Sequence, residues 1–376
     1  MGAQFGAAAL PLGLPSLGPF LRAEFGLSLF WLGALLVAPT AGLAAASYWW
    51  GSASDRWGER RVIVTGMAGA AAVELGAMAA GRAWAFGGLL VLAGAAGAAA
   101  PAASGKAVVA WFPPGERGLA LSLRHTAPMI GGACAAAVLP LAATQWGLRG
   151  ALAALVSFAL GGALIALLIS PAPAWDGRAD APAAPTLARS PAFWTMVLAG
   201  SLVAVGQGIL TRFLPEYLHA ERGWTQAAAG AALSATLVLA AVLRVGAGIA
   251  SDRHGRRAVT LRNQAALAGV ALAVAAAAQG APALAAAALL VVASSLTMAG
   301  NGVAWAAVSD MVPHRPGAAL GLYSAILVAV ITAAPPLFGA AVRDAALGTA
   351  FGVVAAFPLA GALAFRALER RAGPRT

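Results

Sequence analysis

Long apolar stretches separated by short polar ones set the pattern of this chain from end to end. Each stretch runs for about 18 to 25 residues, enough to cross the hydrocarbon core of a bilayer as a helix. Twelve such spans are predicted, at about residues 3–21, 28–50, 62–81, 85–105, 118–141, 148–170, 191–214, 225–249, 259–279, 282–305, 318–341 and 346–367. They are read as helices because the strands of a membrane barrel would carry polar residues at every second position, and these do not. The first span begins almost at Met1, without the charged region and small-residue cleavage site of a secretory signal, so it is expected to stay in the mature protein.

Composition supports that pattern and narrows it. At 61% hydrophobic and 10% charged residues, with a mean hydropathy of +0.82, the chain lies well outside the range of a soluble domain. Arginine outnumbers lysine 23 to 1, Lys106 being the lysine, and alanine fills the spans, a bias expected of a GC-rich bacterial genome. The net charge of +11 could suggest nucleic acid as a partner, but the basic residues lie in the breaks between spans rather than on one folded face, which excludes that class. Breaks after even-numbered spans carry Arg56, Arg60, Arg61, Arg117, Arg178, Arg189, Arg253, Arg256, Arg257 and Arg315, whereas those after odd-numbered spans carry Arg22, Arg82, Arg149, Arg222 and Arg343. The positive-inside rule then puts the even-numbered breaks and both termini in the cytoplasm, the expected placement of a multi-pass protein of a bacterial inner membrane. Cys134 falls inside the fifth span and is read as a small buried apolar residue, with no disulfide possible within the chain.

The segment "PAPAWDGRADAPAAPTLARS" after the sixth span is rich in Pro, Ala and charge and reads as a linker. It gives a domain plan of residues 1–170 as one six-helix bundle, 171–190 as a cytoplasmic linker, 191–368 as a second bundle and 369–376 as a cytoplasmic tail. The two halves repeat. "GSASDRWGERR", from Gly51, returns as "GIASDRHGRR" from Gly248, 197 residues later, and "WFPPGERGLALSL" resembles "MVPHRPGAALGLY" at shifts of 200 and 199 residues. Two words repeating at nearly one offset predict a duplicated unit, an all-α membrane fold of two pseudo-symmetric six-helix bundles. Such paired bundles occur in secondary transporters, with substrate held near the midplane. "GSASDRWGERR" also resembles the loop signature of the major facilitator superfamily, and both copies fall where that family carries it, between helices 2 and 3 and between helices 8 and 9. The resemblance implies the twelve-helix fold of that family and transport by alternating access.

The motif residues make sense by themselves. Gly51 and Gly248 would let the helices before the loops approach a neighbour closely, and Gly58 and Gly255 would permit a turn that a Cβ strains. Arg56, Arg60, Arg61, Arg253 and Arg256 can hold the loops at an anionic membrane surface and bond the last carbonyls of the preceding helices. A purely topogenic cluster of charge would account for these arginines, but not for Asp55 and Asp252, since a carboxylate at a membrane boundary needs a cation or a helix N-terminus. The family resemblance implies that Asp55 faces the start of helix 11, here Gly317 to Ala319, and Asp252 the start of helix 5, Gly118 to Ala120. In that arrangement the halves grip each other on the cytoplasmic side and bias the outward-open state.

No catalytic set, metal-ligand spacing or phosphate-cradling loop is present, so neither an enzyme nor a bound metal or cofactor is expected, and transport energy would come from an ion or solute gradient. The resemblance implies a cavity lined by helices 1, 4, 7 and 10 with 2, 5, 8 and 11 beside them. Arg244 stands out there: Arg244, Gly248 and Asp252 form an Arg-x-x-x-Gly-x-x-x-Asp pattern similar to that of monocarboxylate and oxalate/formate carriers, where the arginine meets the substrate carboxylate. Against this stand snorkelling or a permanent ion pair, and the charged helix 1 motif of those carriers is missing here. Arg124 and His125, about two turns into span 5, are candidates for the same cavity or for helix-end packing. Gln4, Gln207, Asn301 and Tyr323 could supply neutral hydrogen bonds to substrate, together with Ser294, Ser295, Thr297 and Trp305. Glu74, an acidic residue near the middle of span 3, is the proton-coupling candidate, with a structural hydrogen bond as the alternative. Arg212 and Glu216, at i and i+4, are expected to pair with each other. Pro128, Gly131 and Gly132 partly resemble the helix 5 signature of proton-coupled drug antiporters, with Ala127 replacing its first glycine. "WFPPGERGLALSL" resembles nitrate/nitrite carriers, but span 2 lacks the arginine they use. The sequence thus predicts a monomeric carrier of a small organic anion, such as a monocarboxylate, moved with a proton, with a proton-coupled drug or metabolite exporter as the alternative.

Overall fold

Backbone hydrogen bonds inside a bilayer have to close within the chain, and the apolar spans do so as helices. The computed structural model describes residues 1–104, 117–169, 190–278, 280–311, 316–342 and 347–372; within these, the side chains of residues 55, 117–125, 316–318 and 371–372 lie outside the description. Twelve helices follow one another, and no strand occurs among the described residues. We number them α1 (Gly2–Ala8 through Gly18–Phe25), α2 (Leu29–Trp57), α3 (Glu59–Ala77), α4 (Ala83–Gly97), α5 and α6 (within Arg117–Leu167), α7 (Pro191–Ala220), α8 (Gln226–His254), α9 (Arg257–Ala277), α10 (Ala283–Ala299 and Asn301–Met311), α11 (Pro316–Ala341) and α12 (Leu347–Val354 and Ala356–Ala372). The division between α5 and α6 falls at Trp146 and Gly147, where the backbone leaves helical angles and Gly147 takes φ +65°.

Two features depart from the sequence pattern. Span 1 was expected as one helix, but α1 passes through a π-helical segment, Ala9–Gly13, and a 3-10 segment, Leu14–Leu17, before resuming at Gly18. Pro11, Pro15 and Pro19 recur every four residues and withhold the N–H groups that an α-helix would offer to the carbonyls of Ala7, Pro11 and Pro15. Also, α2 and α8 do not stop where their apolar runs end. They continue through Gly51–Trp57 and Gly248–His254, so the first half of each charged motif is helix rather than loop.

The chain forms two compact units. The first comprises Met1–Gly177, Arg212–Val238 and Gly339–Ala341; the second comprises Arg178–Thr211, Leu239–Phe338 and Val342–Thr376. The expected linker, residues 171–190, lies outside the described residues except for Ser190. In the first unit small residues bring backbones together: a Cβ at Gly131 of α5 would strike the carbonyl of Phe5 in α1, and one at Gly94 of α4 would strike that of Pro39 in α2. In the second, Tyr323 of α11, 1% exposed, lies over Gly200 of α7 in a core with Phe193, Met196 and Phe365.

The first unit also holds the ends of α7, α8 and α11 remote from the charged motifs. Gly339 of α11 meets the backbone of Leu29 at the start of α2, and Gly230 of α8 meets Pro140 of α5. Arg22, at the end of α1, donates from Nη1 to Oε1 of Glu216 in α7 at 2.6 Å, and Arg212 donates from Nη2 to the hydroxyl of Thr40 in α2 at 3.2 Å. The expected Arg212–Glu216 pair is therefore replaced. Both side chains are nearly fully buried and turn toward α1 and α2 rather than along the surface of α7. Removing the partner of a buried carboxylate costs about 3 kcal/mol. Arg22→Ala is thus expected to lower the melting temperature of the purified protein markedly, and adding Glu216→Gln is expected to bring no further loss; additive losses would show the two groups to be uncoupled.

Candidate functional site

The two motif loops turn as their glycines require. Gly58 closes α2 with φ +78° and ψ 156°, a conformation open almost solely to glycine, and its N–H bonds the carbonyl of Ser54 at 3.1 Å. Gly255 closes α8 with φ +61°, its N–H on the carbonyl of Ser251 at 3.0 Å. Gly51 and Gly248 behave otherwise than expected: a Cβ at either would meet nothing within 4 Å, so in this state no close helix approach depends on them. They sit, half-buried, in the last two turns of helices that outrun their apolar spans, where no neighbour closes on the Cβ position.

Asp252 is 72% exposed and lies 3.5 Å from Arg257, whose Nε also donates to Oδ2 of Asp310, at the end of α10, at 2.6 Å. Arg56, Arg60, Arg61, Arg253 and Arg256 stand at the ends of α2 and α8 and in the turns after them. The side chain of Asp55 and those of residues 118–120 and 317–318, on which the expected latch depends, lie outside the described residues. The Arg257 and Asp310 pairing was not foreseen, because its partners are 53 residues apart. Another unforeseen pair, Arg262 of α9 and Glu369 of α12, lies still further apart in sequence and meets at 2.7 Å across 107 residues.

The second unit gathers a polar group around the interruption of α10. α10 stops at Ala299 and restarts at Asn301, with Gly300 between. Arg244 of α8 donates from Nη2 to the carbonyl of Met298 at 3.2 Å, beside Gly302, and Asn301 donates from Nδ2 to Oε1 of Gln207 in α7 at 3.2 Å. A carbonyl in the last turn of a helix is a natural partner for a cation. Ser294, Ser295 and Thr297, all buried, turn back on their own unit: Ser295 and Thr297 donate to the carbonyls of Val291 and Ser294. Arg244, Gln207 and Asn301 are thus brought together at one break. The remaining candidates are placed differently. Tyr323 belongs to the core under Gly200, and Gln4, in the first unit, donates to Ser104 at 2.7 Å. Arg124 and His125 stand in α5 with side chains outside the described residues. Gly131 and Gly132 are filled by Phe5 and Leu12 of α1, a packing role for the antiporter-like segment. Glu74 is buried in α3, 3% exposed, with no hydrogen-bond partner at Oε2 among the described residues. No group of three or more His, Cys, Asp or Glu that could hold a metal occurs among the described residues.

Comparison with known proteins agrees with this architecture. The family profile of the Major Facilitator Superfamily matches residues 4–335 and 197–376. The chain is 30% identical over 351 residues to an uncharacterized MFS-type transporter of Mycobacterium tuberculosis, strain CDC 1551 / Oshkosh, covering 93% of this chain and 79% of the relative. Among solved structures it is similar to a bacterial homolog of the human lysosomal transporter Spinster in an inward-facing and occupied conformation, with TM-score 0.80 and 15% identity over 98% of this chain and 95% of that one. A D-xylose-proton symporter follows at TM-score 0.76 and 16% identity, over 97% and 94% of the two chains. A nucleoside transporter matches at TM-score 0.74 and 15% identity, over 98% of both. Two of these neighbours are named for different cargoes, D-xylose and nucleoside, so the shared fold does not carry a substrate with it.

The motif glycines give a sharp contrast. A non-glycine residue held at the backbone angles of Gly58 costs about 1–3 kcal/mol. Gly58→Ala is expected to lower the melting temperature, whereas Gly51→Ala, on open helix, is expected to leave it unchanged or raise it slightly. Equal losses from the two substitutions would contradict these positions.

Proposed function

Since the chain belongs to the Major Facilitator Superfamily and is a multi-pass membrane transporter rather than an enzyme, we propose that its cargo is a small organic anion. The cargo we favour is a monocarboxylate, moved with a proton by alternating access across the cytoplasmic membrane. In this proposal the protein acts as a monomer, and the arginine distribution of its breaks supports placing both termini in the cytoplasm. The observation that carries the substrate class is the place of Arg244. A guanidinium is set within a membrane span, beside the break in α10 and the Gln207–Asn301 pair. A carboxylate offers it two parallel charge-assisted hydrogen bonds where a carbonyl offers one site, so an arriving anion is a better partner than Met298. Asn301 and Gln207 supply neutral polar groups on α10 and α7 that can hold a second oxygen of the same ligand. The motifs carrying Asp55 and Asp252 serve as gates rather than as part of the cargo site, holding the cytoplasmic ends together in the outward-open state.

The test is thermal stabilisation of the purified protein by a panel of carboxylates, amines and sugars, because a ligand raises stability only by binding the folded state. Small carboxylates are expected to stabilise the wild type. Arg244→Ala is expected to weaken their binding by about 10- to 100-fold, the loss of a charged hydrogen bond. Stabilisation by amines or apolar compounds that persists in Arg244→Ala would favour the exporter reading instead.

A further inference from the structure

Inside the first unit, α3 points Glu74 at the interrupted part of α1. The side chain borders a cavity of about 10 Å³, close to the room that one water molecule needs. α1 supplies Gly6, Ala7, Leu10 and Pro11 to its wall, and α4 supplies Gly94 and Gly97. The rest of the lining, from α2, α3, α4 and α6, is Leu, Met and Ala, so among the described residues no titratable or charged group other than Glu74 faces the cavity. Oε2 of Glu74 is buried without a hydrogen-bond partner. Two further observations point to a small polar ligand there. Pro11 cannot give the carbonyl of Ala7 its α-helical N–H, and both residues stand in the wall. Gly97 is buried, yet a Cβ added to it would meet nothing within 4 Å, so the space is real and reaches α4.

A lone carboxylate among apolar walls is costly, and binding a proton removes its charge. We propose that Glu74 and one water in this cavity form a proton-binding site closed by the π-helical segment of α1. A proton taken from water converts the carboxylate to the acid, whose O–H donates to the cavity water. That water can donate in turn to the carbonyl of Ala7, to which Pro11 offers no α-helical N–H. Release returns the proton to water, and the cavity water then donates one of its two O–H groups to the carboxylate. The direction of the hydrogen bond between Glu74 and the cavity water, beside the bulge of α1, therefore follows the protonation of Glu74. The site does not depend on the cargo being an anion, and it can fail or stand independently of Arg244.

Infrared difference spectroscopy of the full chain in lipid nanodiscs tests this, between buffers at about pH 6 and about pH 10 so that ordinary exposed glutamates stay ionised in both, with glutamate carrying ¹³C in its carboxyl group. A carbonyl band of a protonated carboxyl that follows the glutamate label is expected in the wild type and in Glu216→Gln, and its loss is expected in Glu74→Gln. If that variant does not fold, Glu74→Asp serves: its band should persist but no longer follow the label. Gly97→Ala puts a methyl group into the cavity; its band is expected at higher wavenumber, as the acid loses its water, with no fall in melting temperature. The proposal is overturned by a labelled band that survives both Glu74 substitutions, by the lack of any such band in the wild type, or by a Gly97→Ala band identical to that of the wild type.

Discussion

Hydrocarbon offers no partner to a backbone N–H or C=O, so a chain that crosses it can interrupt a helix only where protein or trapped water takes over the hydrogen bonding. The interruptions in this protein have local causes. Prolines spaced every four residues break α1, Gly300 separates the two parts of α10, and Pro358 lacks the N–H that would continue α12 past Val354. The first two interruptions coincide with polar side chains. The bulge of α1 walls the cavity of Glu74, and the end of the first part of α10 presents the Met298 carbonyl to Arg244 and brings Asn301 to Gln207. Irregular backbone and polar chemistry occur together because each requires the other: a freed carbonyl needs a donor, and a membrane-embedded donor needs an acceptor.

Between regular stretches, packing rests on residues without bulk. Lipid is as apolar as leucine, so helices gain little by burying large side chains against each other and gain more from close backbone approach. The contacts of Gly131 with Phe5, Gly94 with Pro39 and Gly339 with Leu29 all put a glycine against a neighbouring main chain. The abundance of glycine therefore has a structural use at these positions.

How much of this was legible depended on the range over which each cause acts. The number of helices, the division of α5 from α6 and the left-handed turns at Gly58 and Gly255 follow from local hydropathy and from glycine's freedom, and the structure carries them. The continuation of α2 through Gly51–Trp57 was missed because the end of an apolar run marks where lipid ends, not where helical hydrogen bonding does. Arg22 with Glu216 was missed because its partners are 194 residues apart, and a one-dimensional pattern favoured Arg212, one turn away. Glu74 was recognisable as an acid in a membrane span, but the wall of its cavity is made in part by Pro11 and its neighbours in another helix. At the candidate cargo site, the grouping of Arg244 with Asn301 and Gln207 required the break at Gly300, whereas Tyr323, equally plausible by sequence, is used up in the core.

The repeated motif shows what duplication preserves. Both copies keep the glycine that ends the helix and the aspartate three residues before it, yet the residue after that glycine is Glu59 in the first copy and Arg256 in the second. Glu59 opens α3, where a negative charge suits the positive end of the helix dipole. α9 opens instead with Arg257 behind Arg256, two positive charges at an end that disfavours them, and no acidic residue occupies its first turn. Compensation comes from outside the helix, since Arg257 lies between the carboxylates of Asp252 and Asp310. In the second copy the repeated aspartate therefore helps to offset its own loop's charge, while in the first copy Glu59 stands beside Arg60 and Arg61 in the first turn of α3. Pseudo-symmetry fixes where the charges stand in the two halves, but the chemistry between them has diverged.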